Sequence, residues 1–364
     1  MTRTRAHGLC RDRLGRLLIG ALAGLALVGS ASAQTTVQEK LDQLAKLSGA
    51  ERQRFLEEQA FKEGKVVMYA SDHPDLVRVW NAEFKKRYPQ IDCQFIRMTT
   101  REMTQRAVNE SQAGHPVTDL LHPPAVELAL LQRSALVARY LSPEAREFDP
   151  EYRDPQGEWS VFWLAPEVIG YNTELVKRAD VPTTLEGRGS TALKGKVGRG
   201  PNGPAWVAGV LKVRGETEGM ALIQRAAAAE PRVYDSNTAL ANALGSGQIA
   251  IAYDLLVTTL GPIKSRGAPV DYVIPEPMFV LPVYQVIMKD APHPFAAALA
   301  YDWILSKQGQ ALFKGVDQIG PRKDTDYPYA DVMRGAKTMM SFSVGLVGEP
   351  ARFNKLFEDL FIRR

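Results

Sequence analysis

The sequence predicts an α/β protein built on mixed, mostly parallel sheets. Three observations carry this. Between Lys65 and Arg133 a short apolar strand, a polar turn and a helical pattern follow one another three times. A second alternating set begins at Lys196. The composition, 45% hydrophobic and 24% charged over 364 residues with two Cys, is that of a folded chain of about two domains and excludes a disordered or disulfide-built one. Strand–helix alternation of this kind closes into parallel sheets with right-handed crossovers, and ligands then bind beyond the C-terminal strand ends.

In chain order, residues 1–33 read as a cleavable export signal. Five Arg precede the apolar run Leu17–Gly29, which ends in Ala31-Ser32-Ala33. The run is too short to span a bilayer, and cleavage is expected between Ala33 and Gln34. Residues 36–64 are expected to be helical, with a capping-box spacing at Ser48 and Glu51 and a stop at Gly64. Lys65–Ala70 is a buried strand, followed by a helix opened by Ser71-Asp72-His73-Pro74 and running to about Tyr88. Asp92–Met98 is the second strand, and Thr99 to Glu102 caps the next helix. Thr118–Leu121 is the third strand, with a helix through Val126–Arg133.

Ser142–Glu158 reads as an irregular excursion. Strands are then expected at Glu167–Tyr171, Arg232–Tyr234, Gln248–Tyr253, Asp271–Ile274 and Tyr284–Met288. Helices are expected around Ala205–Val213, Glu216–Ala229 and after Asn237. A long amphipathic helix is expected over Pro294–Leu312, and shorter ones near 330–339 and 350–361.

The formal charge of +4 is misleading. Residues 1–33 hold five Arg and one Asp, and the remainder is charge-balanced, so no nucleic-acid partner is expected. Once Cys10 leaves with the signal, Cys93 is unpaired and reads as a buried small hydrophobe. Enzyme motifs are missing: no G-x-S-x-G, no H-E-x-x-H, no C-x-x-C and no P-loop spacing. No catalytic residue, metal or cofactor is assigned, and the chain is not expected to be an enzyme.

The candidate ligand residues stand at predicted helix starts and strand ends. Ser71, Asp72, His73, Thr99 and Thr100 fall there in the first half, with His122 after the third strand. Ser236 and Asn237 repeat the arrangement, and Asn202 lies in a Gly-rich turn with Arg199. Free N–H groups and the helix dipole at such starts favour an anion. The plain alternative for each Ser or Thr is helix capping. Tyr253, Tyr284 and Trp206 are candidate aromatic walls, with core packing as the alternative. Asp254 and Asp72 keep an amine-bearing ligand open, and Arg97 or Arg101 suits a carboxylate or phosphate.

From Phe61 to Tyr327 the chain resembles the family-1 extracellular solute-binding proteins of bacterial ABC importers, in particular the ferric-iron-binding periplasmic group. The resemblance rests on Glu63–Tyr69, Phe84–Pro89, Gly170-Tyr171-Asn172-Thr173, Lys194-Gly195-Lys196-Val197, Gly267-Ala268-Pro269-Val270 and Leu305–Gln310, in that order. It implies a two-lobed type II periplasmic-binding fold with two interlobe crossings. The parts would be a signal peptide (1–33), an N-terminal helical segment (34–61), lobe 1 (62–165), lobe 2 (166–279), and the rest of lobe 1 with the C-terminal helices (280–364). It implies a monomeric periplasmic protein that delivers a small solute to an inner-membrane ABC permease; the residues at the helix starts point to a polar, anionic one.

The ferric group holds iron through a Tyr-Tyr pair, a His and a Glu. Here the Tyr pair would fall at Val257-Thr258 and the Glu near Pro124, while His73 matches the His. Ferric iron or an iron complex stays open as the alternative cargo, as do a sensory input to a membrane receptor and a periplasmic hydrolase.

Overall fold

The structure, a computed structural model, describes residues 35–72, 74–190, 194–343, 345 and 348–363. The expected export signal, its cleavage point and His73 lie outside the described residues. Thr36–Arg364 cluster as one compact unit.

The expected helical stretch 36–64 is two helices, α1 (Val37–Ala45) and α2 (Gly49–Glu63). The capping box is at Thr36 and Glu39, while Ser48 makes no side-chain cap bond. Gly64, at φ +66°, ends α2 in the left-handed conformation that costs glycine nothing.

The three expected strand–helix units follow: β1 (Lys65–Ala70), α3 (Pro74–Arg87), β2 (Asp92–Arg97), α4 (Thr100–Gln112), β3 (Leu120–His122) and α5 (Ala125–Arg133). Both β2 and β3 pair with β1 in parallel. Cys93 is mostly buried beside Asn81, its Sγ 3.4 Å from Asn81 Oδ1, and burial pushes its thiol up, away from thiolate chemistry.

β4 (Ser160–Asn172) is much longer than the expected 167–171. Then come β5 (Val197–Arg199), α6 (Gly203–Ala228), β6 (Arg232–Val233), α7 (Asn237–Gly245), β7 (Ile251–Leu256), α8 (Val257–Ser265), β8 (Val270–Val273) and β9 (Met278–Ile287). Gly215, at φ +72°, breaks α6 between the two expected helices. The strands run in the order β2-β1-β3-β9-β4-β7-β5-β6, with β8 on β4. Two parallel sets, β1–β3 and β5–β7, are thus joined through the long antiparallel pair β4/β9, which runs from Ser160↔Gln285 to Pro166↔Val280 with a register shift between Val161 and Trp163.

The expected single helix over 294–312 is α9 (Pro294–Leu305) and α10 (Lys307–Ala311). Ser306 leaves the helical region and its Oγ caps the Gly309 N–H at 3.2 Å. Nor is α9 amphipathic: all twelve of its residues are buried. The reason is the N-terminal hairpin, which covers α9 from outside with Leu41, Leu44, Leu56 and Ala60 and sets Phe55 edge-on to Phe295. A helix walled in on every face needs no polar side.

The chain ends with α11 (Ala330–Gly335), β10 (Met339–Ser341) and α12 (Pro350–Phe357), the last continuing as a π turn to Ile362. β10 runs parallel to β9, and α12 packs on α6, where Phe357 and Phe361 join Trp206 and Val210 in a second apolar cluster.

Candidate functional site

The C-terminal ends of β1, β2 and β7 open on one cleft of about 220 Å³. Ser71 and Asp72 follow β1, Arg97 ends β2, Trp163 comes from β4, and Leu256, Thr258 and Thr259 form the turn into α8. Gln318 closes the wall; it is nine-tenths buried and its Oε1 makes no hydrogen bond. Strands from both parallel sets therefore contribute, as expected where an α/β sheet reverses its order.

Asp72 is held from behind. Its Oδ2 lies 2.7 Å from His122 Nδ1 and its Oδ1 accepts from Trp163 Nε1 at 3.0 Å. His122 is fully buried, its ring centroid 3.9 Å from that of Phe162. Its Nε2 lies 2.9 Å from Gln285 Oε1, and Gln285 Nε2 donates to the Tyr301 carbonyl at 3.1 Å. That last bond turns the amide oxygen of Gln285 toward the ring. Arg97 Nε donates to the Asp72 carbonyl at 3.0 Å, which leaves the rest of the exposed guanidinium toward solvent.

α8 starts without a capping side chain, because its N-cap is Leu256. The Leu256 N–H itself donates to Asn237 Oδ1 at 3.2 Å, so Asn237 positions this turn. The free N–H groups of the first turn belong to the segment that lines the cleft.

Other sequence candidates gather behind β7. Asp254, at φ +57°, takes both Arg199 Nε (2.6 Å) and a second Arg199 nitrogen (2.9 Å), and Arg188 at 3.4 Å. Arg199 also stacks on Trp206, 3.9 Å from the ring centroid. Tyr253 lies under Arg188; its hydroxyl makes no hydrogen bond, and burial pushes it up to about 12. Neither oxygen of buried Glu167 is hydrogen-bonded, and burial, then Asp254, hold its carboxyl well above the usual carboxylate range. Asn202 is the N-cap of α6 without a side-chain cap bond.

The remaining candidates stand apart from the cleft lining. Thr99 caps α4 through the Glu102 N–H at 3.2 Å, and the Thr100 carbonyl accepts from Thr104 Oγ1 at 3.0 Å. Ser236 caps α7 through the Ala239 N–H at 3.1 Å. Tyr284 is buried with its ring edge-on to Trp159. Sequence reasoning passed over Glu167, Arg188, Gln285 and Gln318. Only Glu167, a carboxylate within an apolar strand, carried a local signal. At the Tyr-pair positions Val257 and Thr258 begin α8, and among the described residues no three His, Cys, Asp or Glu side chains converge.

A family model described as bacterial extracellular solute-binding protein matches residues 115–333. No curated protein matches the chain in sequence. Among solved structures the chain is similar to iron-bound HitA from Pseudomonas aeruginosa, at 18% identity and a TM-score of 0.71, covering 81% of this chain and 99% of that one. It is similar to AfuA from Actinobacillus pleuropneumoniae with fructose-6-phosphate bound, at 19% identity and 0.69, covering 82% and 98%. It is also similar to Trichodesmium FutA in complex with iron and citrate, at 19% identity and 0.69, covering 82% and 99%. These likenesses show the two-lobed periplasmic-binding fold. The sheet order, the shared cleft and the matched segment lead to one assignment: the chain belongs to the bacterial extracellular solute-binding protein family.

Proposed function

We propose that the chain is exported, cut after Ala33, and captures a small anionic solute between a first lobe (62–165 with 280–364) and a second (166–279) for an inner-membrane ABC permease. One observation carries the anionic assignment. Among the described residues lining the cleft, the single carboxylate, Asp72, has both oxygens occupied by His122 and Trp163. What remains toward the solute is the Arg97 guanidinium, the hydroxyls of Ser71, Thr258 and Thr259, the uncapped start of α8 and the unbonded Oε1 of Gln318. Such a set offers oxyanion oxygens a cation and several donors, whereas an ammonium would meet only neutral acceptors beside Arg97. A solute bridging both lobes stabilises the closed form by its differential contacts there.

The test is a thermal-shift panel of phosphate esters, carboxylates, phosphonates, polyamines and ferric citrate on the mature chain. An anion at 100 times its Kd is expected to add about 2.7 kcal/mol of stability. Stabilisation by polyamines alone, or steady turnover of any compound, would overturn the reading.

A further inference from the structure

A roomier cavity, about 490 Å³, lies among residues 140–160 and shares no lining residue with the cleft. Its floor is built on buried chemistry. Tyr140 donates to Asp302 Oδ2 at 2.7 Å and Ser142 to Asp302 Oδ1 at 2.6 Å. Arg52, from the N-terminal hairpin, neutralises Asp302 at 2.9 Å and also meets the Tyr140 hydroxyl. The rim is equally constrained. Gly157, at φ +83°, lies so close to the Tyr140 backbone that a Cβ would sit 3.0 Å from it, and its carbonyl accepts the Tyr140 N–H at 2.8 Å.

The groups lining this rigid frame have unused capacity. Among the described residues, neither Arg146 nor Arg153 makes an ion pair or a side-chain hydrogen bond, although both line the cavity. Three of the neighbouring carboxylates are already engaged: Glu144 with Arg322 at 2.8 Å, Asp149 with Lys323 at 2.5 Å, and Glu158 with Gln132 at 2.6 Å. The one carboxylate in the lining, Asp154, has Oδ2 taken by the Gln156 and Glu158 N–H groups, both at 3.0 Å. Trp159 and Leu141, the latter 65% exposed, add apolar wall.

We propose that this cavity is a second binding site, for a small doubly charged oxyanion carrying an apolar body. Two free guanidinium groups match a phosphate ester or a dicarboxylate, and the Trp159 and Leu141 walls take the organic part. The volume is that of a small-molecule pocket, and the preformed floor means that little ordering opposes binding. The site does not depend on what the cleft carries.

Phenyl phosphate is the probe, titrated calorimetrically into the whole chain carrying Arg97→Ala, which weakens the cleft as a competing phosphate-ester site, and into the same chain with Arg146→Ala/Arg153→Ala added. The expected result is saturable binding to the Arg97→Ala chain, weakened at least roughly tenfold when both further arginines are removed, as loss of charge-assisted contacts implies. Arg146→Lys/Arg153→Lys in the same background should recover it in part. Arg146 and Arg153 lack partners, so melting temperatures unchanged by their removal are expected and confirm folding. Affinity unchanged by the removal of Arg146 and Arg153, or no saturable heat at millimolar probe in the Arg97→Ala chain, would each overturn the proposal.

Discussion

Asp72 Oδ2 and His122 Nδ1 lie 2.7 Å apart, and both side chains are buried directly behind the cleft wall. The pair joins the end of β1 to the end of β3 and, through Gln285, to β9. His122→Ala would leave the Asp72 carboxylate buried without its partner. Removing one member of a buried pair costs about 3–5 kcal/mol, far above the ~0–1 kcal/mol of an exposed pair. Urea denaturation measures this. A loss within the exposed-pair range would show that the contact does not hold the wall together.

Arg97 is the cation lining the cleft among the described residues, and its side chain is exposed. Arg97→Ala should leave the fold intact and weaken binding of an anionic solute by roughly 10- to 100-fold, the equivalent of about 1.5–3 kcal/mol for hydrogen bonds to a charged group. Arg97→Lys should restore only part, because the ammonium lacks the planar fork. Titration of the solute found by thermal shift decides this; equal affinity in all three proteins would remove Arg97 from the site.

The first half of the fold was legible because its signals are local. Lys65–Ala70 is a near-continuous apolar run, and Thr99 sits where a cap must sit, three residues before Glu102. β10 was not legible. It is three residues whose strand character comes only from pairing with β9, some sixty positions earlier in the chain. The all-buried α9 was misread for the same reason: nothing within Pro294–Leu305 shows that a hairpin from residues 37–63 covers its outer face. In the cleft, Ser71 and Asp72 were readable as residues that follow a strand and precede a helix. Gln318 and Gln285 were not, since only tertiary packing brings them to the wall and its support.

Stability should fall as pH rises from acid toward neutrality and beyond. Glu63, half-buried beside Ala296, has its carboxyl pushed up to about 7, chiefly by desolvation. A raised folded value means its contribution is fully present below about 4.5 and is lost as pH rises through about 7. His293 is also raised, first through its hydrogen bond to Asp119, so its contribution is present below 6.5 and is lost above. Both shifts act in one direction, with Lys40 and Lys65 as the nearby cations. Melting temperature against pH should therefore decline between 4.5 and 7 in the wild type. Glu63→Gln, which can still accept the Ala296 N–H, should flatten that part and keep the decline due to His293. A profile unchanged by the substitution would exclude Glu63 as the titrating group.

Gly203 opens α6 directly beneath the Phe357 ring, where a Cβ would overlap the ring atoms. Phe357 belongs to α12, and Phe361 from the following turn covers Arg199 at 4.8 Å from its ring centroid. Gly203→Ala must push this ring aside, an overpacking cost of about 1–3 kcal/mol. Phe357→Ala alone should cost about 3–5 kcal/mol, because the ring is buried. In combination the two cannot add, since truncating the ring removes the clash that the methyl creates. Urea denaturation of the four proteins forms a double-mutant cycle, and an interaction energy of about 1 kcal/mol or more is expected for residues in such contact. Strict additivity would mean that α12 does not rest on the start of α6.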